Sequence, residues 1–194
     1  MQINDLFVKY GTDKQEGPHG WGYADTYQQF LTPLRGSALN VLEIGICGFR
    51  NIPNNVVGAS LFAWRDFFPN AFIHGIDNDN RFVFNDQPFI KTALCNAYDL
   101  GDLAATLREW GTPTFDFICD DAVHDPMPQV FLASALFPFL KVGGVYAIED
   151  VCPYKLPNED MRVMLQPLIM ANHMKVTEFD TGKRERLIIL EKTA

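Results

Sequence analysis

The chain has 194 residues, of which 47% are hydrophobic and 21% are charged, and its net charge is −8 at pH 7. These proportions are typical of a globular protein with a sizeable core, and they exclude a disordered or fibrous chain. The acidic balance also argues against nucleic acid as a partner, because phosphate binding needs clustered lysines and arginines.

Strands and helices alternate along the chain after a start that is rich in glycine and aromatic residues. The predicted elements, in chain order, are a strand at 40–45, a helix at 58–68, strands at 71–77 and 90–95, a helix at 100–110, a strand at 115–119, a helix at 128–140 that ends at Gly143-Gly144, a strand at 145–148, a helix at 159–173, and two strands around a turn at 180–183. Hydrophobic periodicity and turn residues place each of them.

This alternation predicts an α/β fold with a Rossmann-like, doubly wound sheet that is mostly parallel and ends in a C-terminal antiparallel hairpin. We expect one domain over 1–194, in which 1–35 is an N-terminal segment and 36–194 is the core. Ligands of such sheets bind at the carboxyl ends of the strands, near the switch in strand order. The residues that follow each strand are therefore the first candidates for a site.

A glycine turn and an acid follow the first two strands. Glu43 and Gly45 begin an E-x-G-x-x-G pattern, in which glycine lets the backbone approach a ligand closely. Asp77 ends the second strand, where a carboxylate can accept hydrogen bonds from both hydroxyls of a ribose. Together they indicate a cofactor that contains ribose. A plain turn at Gly45 and a helix N-cap at Asp77 are the open alternatives.

Two acidic pairs, Asp120-Asp121 and Glu149-Asp150, follow the fourth and fifth strands. If these strands are neighbours at ~4.8 Å, the carboxylates meet and repel one another, and a hard cation such as Mg²⁺ removes that penalty. His124 follows the first pair at a spacing that suits a general base. The alternatives are acids that only cap the next helices and a histidine that is structural.

Four strings of the sequence resemble a known family: VLEIGICG, GASLFAWRDFFPNAFIHGID, FDFICDDAVH and GGVYAIEDV. They are similar to the metal-dependent class I methyltransferases that use S-adenosylmethionine, and within that class to the macrocin and mycinamicin sugar O-methyltransferase family. The N-terminal KYGTDK, followed by His19, Tyr23 and Tyr27, is also similar to that family. The resemblance covers about residues 9–151.

The resemblance implies a cofactor, a metal and a base. The residues it assigns are Glu43, Gly45, Ser60, Asp77 and Asn96 for S-adenosylmethionine, Asp121, Glu149 and Asp150 for Mg²⁺, and His124 for catalysis. Asp77 is expected to hold the ribose hydroxyls, and Asn96 is expected to face the adenine. The implied reaction is methyl transfer to a hydroxyl of a small molecule with adjacent hydroxyls, such as a sugar of a natural product.

The sequence departs from the family at two places near this site. Asn96 stands where the family usually has Asp, and Ala122-Val123 stands where it usually has Gly-Ser. These departures motivate an alternative, a non-catalytic module that binds the cofactor. A cephalosporin-hydroxylase-like enzyme is the second alternative, because it resembles the family around the metal acids.

Two further expectations concern surroundings and assembly. The longest uncharged run, 126–140, is shorter than the ~18 apolar residues of a membrane span, and the four cysteines form no C-x-x-C pair. We therefore expect no membrane partner and reduced thiols in a cytoplasmic protein. The aromatic residues of the N-terminal segment are compatible with a homo-oligomer interface.

Overall fold

The computed structural model describes residues 1–47, 52–151, 161–172, 174–180 and 186–194. The helices are α1 (Ile3–Tyr10), α2 (Ala24–Leu31), α3 (Ala59–Phe67), α4 (Leu100–Glu109), α5 (Pro126–Leu136) and α6 (Met161–Asn172). The strands are β1 (Asn40–Ile44), β2 (Phe72–Asp77), β3 (Ile90–Leu94), β4 (Phe115–Asp120), β5 (Leu140–Val151), β6 (Met174–Asp180) and β7 (Arg186–Lys192).

The strands form one sheet in the order β3-β2-β1-β4-β5-β7-β6. Strands β1 to β5 pair in parallel, whereas β7 is antiparallel to both β5 and β6. The predicted doubly wound sheet with a C-terminal antiparallel pair is thus confirmed, although the predicted turn at 181–183 lies outside the described residues. The strand order reverses between β1 and β4, so their carboxyl ends border the crevice in which such sheets bind ligands.

One predicted helix boundary was wrong. The helix expected at 128–140 ends at Leu136, and a 3-10 turn over Phe137–Phe139 leads into β5. Pro138 has no N–H to donate into a longer helix, and its ring would crowd the carbonyl one turn earlier. The Gly143-Gly144 pair therefore lies inside β5 rather than at a helix end.

Each face of the sheet packs against its own set of helices. Helices α1, α2 and α3 cover one face, where Phe7, Tyr27, Trp64 and Phe117 meet edge to face with ring centroids 5.1–6.2 Å apart. Helices α4, α5 and α6 cover the other face. In the described part of the chain, no helix has the length and apolar character that a membrane span needs.

Helix α1 fixes the N-terminal segment to α3. The Nζ atom of Lys9 and the hydroxyl of Tyr10 both bond to Asp66 of α3, at 2.8 and 2.6 Å. Gly11 then ends α1 in the left-handed conformation, with φ at 68°. The chain is thereby directed across the carboxyl ends of the strands before α2 begins.

Candidate active site

A cavity of about 220 Å³ opens at the carboxyl ends of the first four strands. Among the predicted residues, Gly45, Asp77 and Asn96 line this cavity, and they come from the ends of β1, β2 and β3. Asp121, which follows β4, lines it as well. The cavity therefore lies where the strand order predicts a ligand.

Gly45 allows the segments that follow β1 and β4 to approach each other closely at the cavity. Its φ is +83°, and a Cβ atom at this position would lie only 2.2 Å from the carbonyl oxygen of Asp121. No other residue type fits this backbone conformation and this contact together. The glycine turn is thus required by the close approach of the β1 and β4 ends.

Asp77 is held rigidly at the rim of the cavity. Its Oδ2 accepts a hydrogen bond from the backbone N–H of Ile46 at 3.0 Å, and its Oδ1 accepts one from Asp79 at 2.9 Å. Each carboxylate oxygen has a second lone pair with which a hydroxyl could bond. Asn96 is oriented in a similar way, because its Oδ1 accepts a bond from the backbone N–H of Tyr98 at 3.2 Å.

Glu43 and Ser60 do not line the cavity. Glu43 is fully buried beside it and accepts a hydrogen bond from Nε1 of Trp64 at 2.7 Å. Burial raises the pKa of Glu43. The structure thus does not bring the two residues to the cavity as predicted.

Asp121, His124 and Asp150 form a cluster next to the cavity. Nε2 of His124 lies 3.4 Å from Oδ1 of Asp121, and its Nδ1 lies 3.3 Å from Oδ2 of Asp150. One ligand atom from each residue falls within 4.8 Å of the others, which suits a metal ion. This histidine, predicted as the base, therefore lies between two of the predicted metal ligands.

The backbone at Asp150 makes this arrangement possible. Asp150 has a φ of +51°, in the left-handed region, and the register between β5 and β7 shifts between Ile148 and Val151. Regular strand geometry would point Asp150 to the face opposite Glu149. The irregularity brings both acids of this pair to the same edge.

Asp120 does not join the cluster, so the expected meeting of four carboxylates was wrong. Successive side chains of a strand point to opposite faces. Asp120 is therefore buried away from Asp121, and its Oδ1 accepts a bond from the N–H of Ala122 at 3.4 Å. Burial raises the pKa of Asp120 to about 8.

A buried lysine, Lys14, contacts the acids at the ends of β1, β4 and β5, and no sequence pattern indicated this role. Its Nζ lies 2.6 Å from Asp121, 2.8 Å from Glu149 and 3.4 Å from Glu43, and its side chain is only 1% exposed. The hydroxyl of Tyr27 donates to the other oxygen of Glu149. Glu149 thus has both oxygens engaged, in contrast to its expected role as a metal ligand.

The single positive charge of Lys14 does not balance the carboxylates of Asp121, Glu149 and Asp150. Burial raises the pKa of Glu149 well above its ordinary value, although Lys14 lowers it. Burial and the nearby Asp121 raise the pKa of Asp150 to about 6. Burial alone would raise the pKa of Asp121 as well, but Lys14 and His124 hold it below its ordinary value. A divalent cation would relieve the charge that remains.

Known proteins resemble the chain in both sequence and structure. Demethylmacrocin O-methyltransferase of Streptomyces fradiae is 32% identical over 149 residues, which are 77% of this chain and 36% of that protein. Mycinamicin VI 2''-O-methyltransferase of Micromonospora griseorubida is 32% identical over 150 residues, again 77% and 36%. The chain is a relative of the macrocin and mycinamicin sugar O-methyltransferases. No protein-family model matches it.

A solved methyltransferase structure supports this kinship. The MycE methyltransferase from the mycinamycin biosynthetic pathway, in complex with Mg and SAH, matches with a TM-score of 0.80 and 26% identity over 100% of this chain and 55% of that one. Fibrillarin of Methanococcus jannaschii matches at a TM-score of 0.58 and 15% identity, which shows the class I methyltransferase fold alone. The chain spans little more than a third of the length of the sequence relatives named above.

In this relative of the sugar O-methyltransferases, the N-terminal segment contacts the acidic cluster directly, which the sequence did not indicate. Tyr23 is fully buried, and its hydroxyl donates a hydrogen bond to Oδ1 of Asp150 at 2.6 Å. The resemblance at the KYGTDK string and the two tyrosines after it pointed to this segment, but it did not indicate which residues the tyrosines contact.

Proposed function

We propose that the chain is an S-adenosylmethionine-dependent and Mg²⁺-dependent O-methyltransferase that acts on a hydroxyl of a small molecule with adjacent hydroxyls. The observation that carries the proposal is the position of Asp121, which lines the cavity and also belongs to the cluster with His124 and Asp150. A methyl donor in the cavity and a metal at the cluster would therefore be neighbours. The names of the relatives suggest a sugar on a natural product as the acceptor.

The residues around the cavity fit S-adenosylmethionine. Asp77 would accept hydrogen bonds from the ribose hydroxyls, because two backbone N–H groups already fix its carboxylate at the rim. Asn96 would face the adenine from the end of β3, and Gly45 leaves room for the cofactor beside the backbone. The cofactor supplies a methyl group on a positively charged sulfur.

The acidic cluster fits Mg²⁺. Asp121 and Asp150 offer the carboxylate oxygens that this ion prefers, and Mg²⁺ commonly binds through one or two carboxylates together with substrate oxygens. Glu149 would have to release Lys14 or Tyr27 to become a third ligand. The bound ion would lower the pKa of the acceptor hydroxyl and orient it.

His124 would remove the proton from the acceptor hydroxyl. Its ring lies between Asp121 and Asp150, beside the cavity in which Asp77 and Gly45 would hold the cofactor. A fixed approach of the hydroxyl to the methyl group supplies much of the rate gain, because it replaces a random encounter. A ring nitrogen of His124 would accept this proton. S-adenosylmethionine, when bound, would supply the methyl group by cleavage of its S–CH3 bond and would leave as S-adenosylhomocysteine.

Transfer of radiolabelled methyl groups tests this function. The assay presents S-adenosylmethionine and a panel of glycosides with adjacent hydroxyls, and it is run with Mg²⁺, with excess chelator, and after Mg²⁺ is restored. We expect transfer that chelation abolishes and Mg²⁺ recovers. His124→Ala should lower the rate by about 10²–10⁴-fold, whereas His19→Ala, at an exposed histidine outside the cluster, should leave it unchanged.

Three results would contradict the proposal. Activity that survives full removal of the metal would exclude the role of the ion. Normal turnover by His124→Ala would exclude the base. Tight binding of S-adenosylhomocysteine in calorimetry, without methyl transfer to any polyol or catechol, would favour a non-catalytic binding module.

A further inference from the structure

We propose that Tyr23 is a positioning residue of the metal site. Its hydroxyl holds Asp150 so that one oxygen of the Asp150 carboxylate is available to a bound metal ion. This inference rests on the proposed function, because it takes Asp150 as a metal ligand. It assigns to the N-terminal segment a part in metal binding, through a residue that does not line the cavity.

The hydroxyl of Tyr23 contacts Asp150 at two points. It donates a hydrogen bond of 2.6 Å to Oδ1, and it accepts one of 3.3 Å from the backbone N–H of the same residue. With Oδ1 engaged by Tyr23, Oδ2 is the oxygen that faces Nδ1 of His124 at 3.3 Å. The phenol therefore fixes both the backbone and the side chain of one predicted ligand.

Asp150 needs such a restraint. Its left-handed backbone, with φ at +51°, is strained for a residue other than glycine, and it persists only where neighbouring groups enforce it. The carboxylate is also buried close to Asp121, which repels it. Without the Tyr23 hydroxyl, turning the carboxylate away from Asp121 would be favourable, and the metal would lose an aligned ligand.

The support of Tyr23 is itself rigid. The residue is fully buried at the start of α2, and its backbone N–H donates to the carbonyl oxygen of Lys14 at 3.2 Å. Lys14 in turn bonds to Asp121 and Glu149. One short segment of chain thus holds the predicted ligands at the ends of both β4 and β5.

Tyr27 provides a matched control. It is also fully buried, and its hydroxyl also donates to a site carboxylate, that of Glu149. Glu149 keeps two other partners, however: Lys14 at 2.8 Å and the thiol of Cys119 at 3.3 Å. Removal of the Tyr27 hydroxyl should therefore cost stability without displacing Asp150.

The test measures Mn²⁺ binding by electron paramagnetic resonance, without cofactor or acceptor, in the intact chain. The proteins are the wild type, Tyr23→Phe, Tyr27→Phe and Asp150→Asn, and thermal unfolding confirms that each is folded. Partners of metal ligands typically contribute about 10–100-fold in affinity. We expect a loss of that size for Tyr23→Phe, a change of less than about threefold for Tyr27→Phe, and no detectable binding for Asp150→Asn.

The outcomes separate this inference from the proposed function. A wild type that binds no Mn²⁺ would overturn the metal role and the inference with it. A wild type that binds Mn²⁺, together with a Tyr23→Phe variant of equal affinity, would overturn the inference alone. Equal losses in Tyr23→Phe and Tyr27→Phe would also overturn it, because they would indicate general loosening of the core.

Discussion

At the scale of single residues, the buried ammonium of Lys14 stabilises the buried carboxylates that surround it. Moving charges out of water costs several kcal/mol per ion, and only close opposite charges offset this cost. Lys14 lies within 3.4 Å of three carboxylates. These neighbours raise its pKa well above the ordinary value against the opposing effect of burial, so it remains charged.

We predict that Lys14→Met lowers the free energy of unfolding by about 3–5 kcal/mol, because it leaves buried acids without their counter-charge. Chemical denaturation measures the change. Lys9→Met is the control, since the Lys9 side chain is 53% exposed and its pair with Asp66 should contribute about 1 kcal/mol or less. Adding Glu149→Gln to Lys14→Met should recover part of the loss. A Lys14→Met variant as stable as the control would contradict this account.

At the scale of elements, the sequence predicted where strands and helices lie but not which way the acids point. Hydrophobic periodicity located β1 to β5 within a few residues, except that β5 begins earlier, because buried strands leave a clear pattern. Asp120 and Asp121 point in opposite directions because successive side chains of a strand alternate between its two faces. A prediction that only counts the acids at a strand end does not take this alternation into account. The irregularity that returns Asp150 to the site lies where β5 pairs with β7, and Asp150 bonds there to Tyr23; both partners are distant in sequence.

The close approach of β1 and β4 gives a prediction for Gly45. Gly45→Ala should lower the free energy of unfolding by about 2 kcal/mol or more, because left-handed strain adds to a clash with the carbonyl of Asp121. It should also weaken the binding of S-adenosylhomocysteine in calorimetry. Gly111→Ala is the control, since Gly111 has the same φ of +83° but no atom within 4 Å of an added Cβ. Equal effects of the two substitutions would show that the contact does not matter.

At the scale of the whole molecule, the site is assembled from the two ends of a long stretch of chain. Lys14 and Glu149 are separated by 135 residues, and Tyr23 and Asp150 by 127. Patterns within a short window carry no information on such contacts, so the sequence indicated the cavity and the acids but not the groups that hold them. The 1–35 segment supplies those groups.

The stability of the whole chain should depend on His74, which lies in β2 outside the site. Burial lowers the pKa of His74 to about 4, although its Nδ1 bonds to the carbonyl oxygen of Val41. The unfolded chain binds the proton at the ordinary pKa of about 6.5. The contribution of the neutral ring is therefore complete above pH 6.5 and is lost as the pH falls from about 6.5 to 4.

Compared with His74→Leu, the wild type should lose about 3 kcal/mol of unfolding free energy over that pH range. Urea denaturation of both proteins at several pH values measures the difference. Because both proteins contain the acids of the site, the comparison cancels their contributions, including those of Glu149 and Asp150, whose raised pKa values act in the opposite direction. A difference that stays constant with pH would contradict the prediction.

The most direct test of the central claim is a crystal structure of the chain soaked with Mn²⁺ and S-adenosylhomocysteine, in which anomalous scattering locates the metal. We predict a metal peak within coordination distance of the carboxylates of Asp121 and Asp150, and a nucleoside in the cavity with its ribose on Asp77. A metal bound elsewhere, or a cavity that stays empty of the nucleoside while the protein remains folded, would contradict the account.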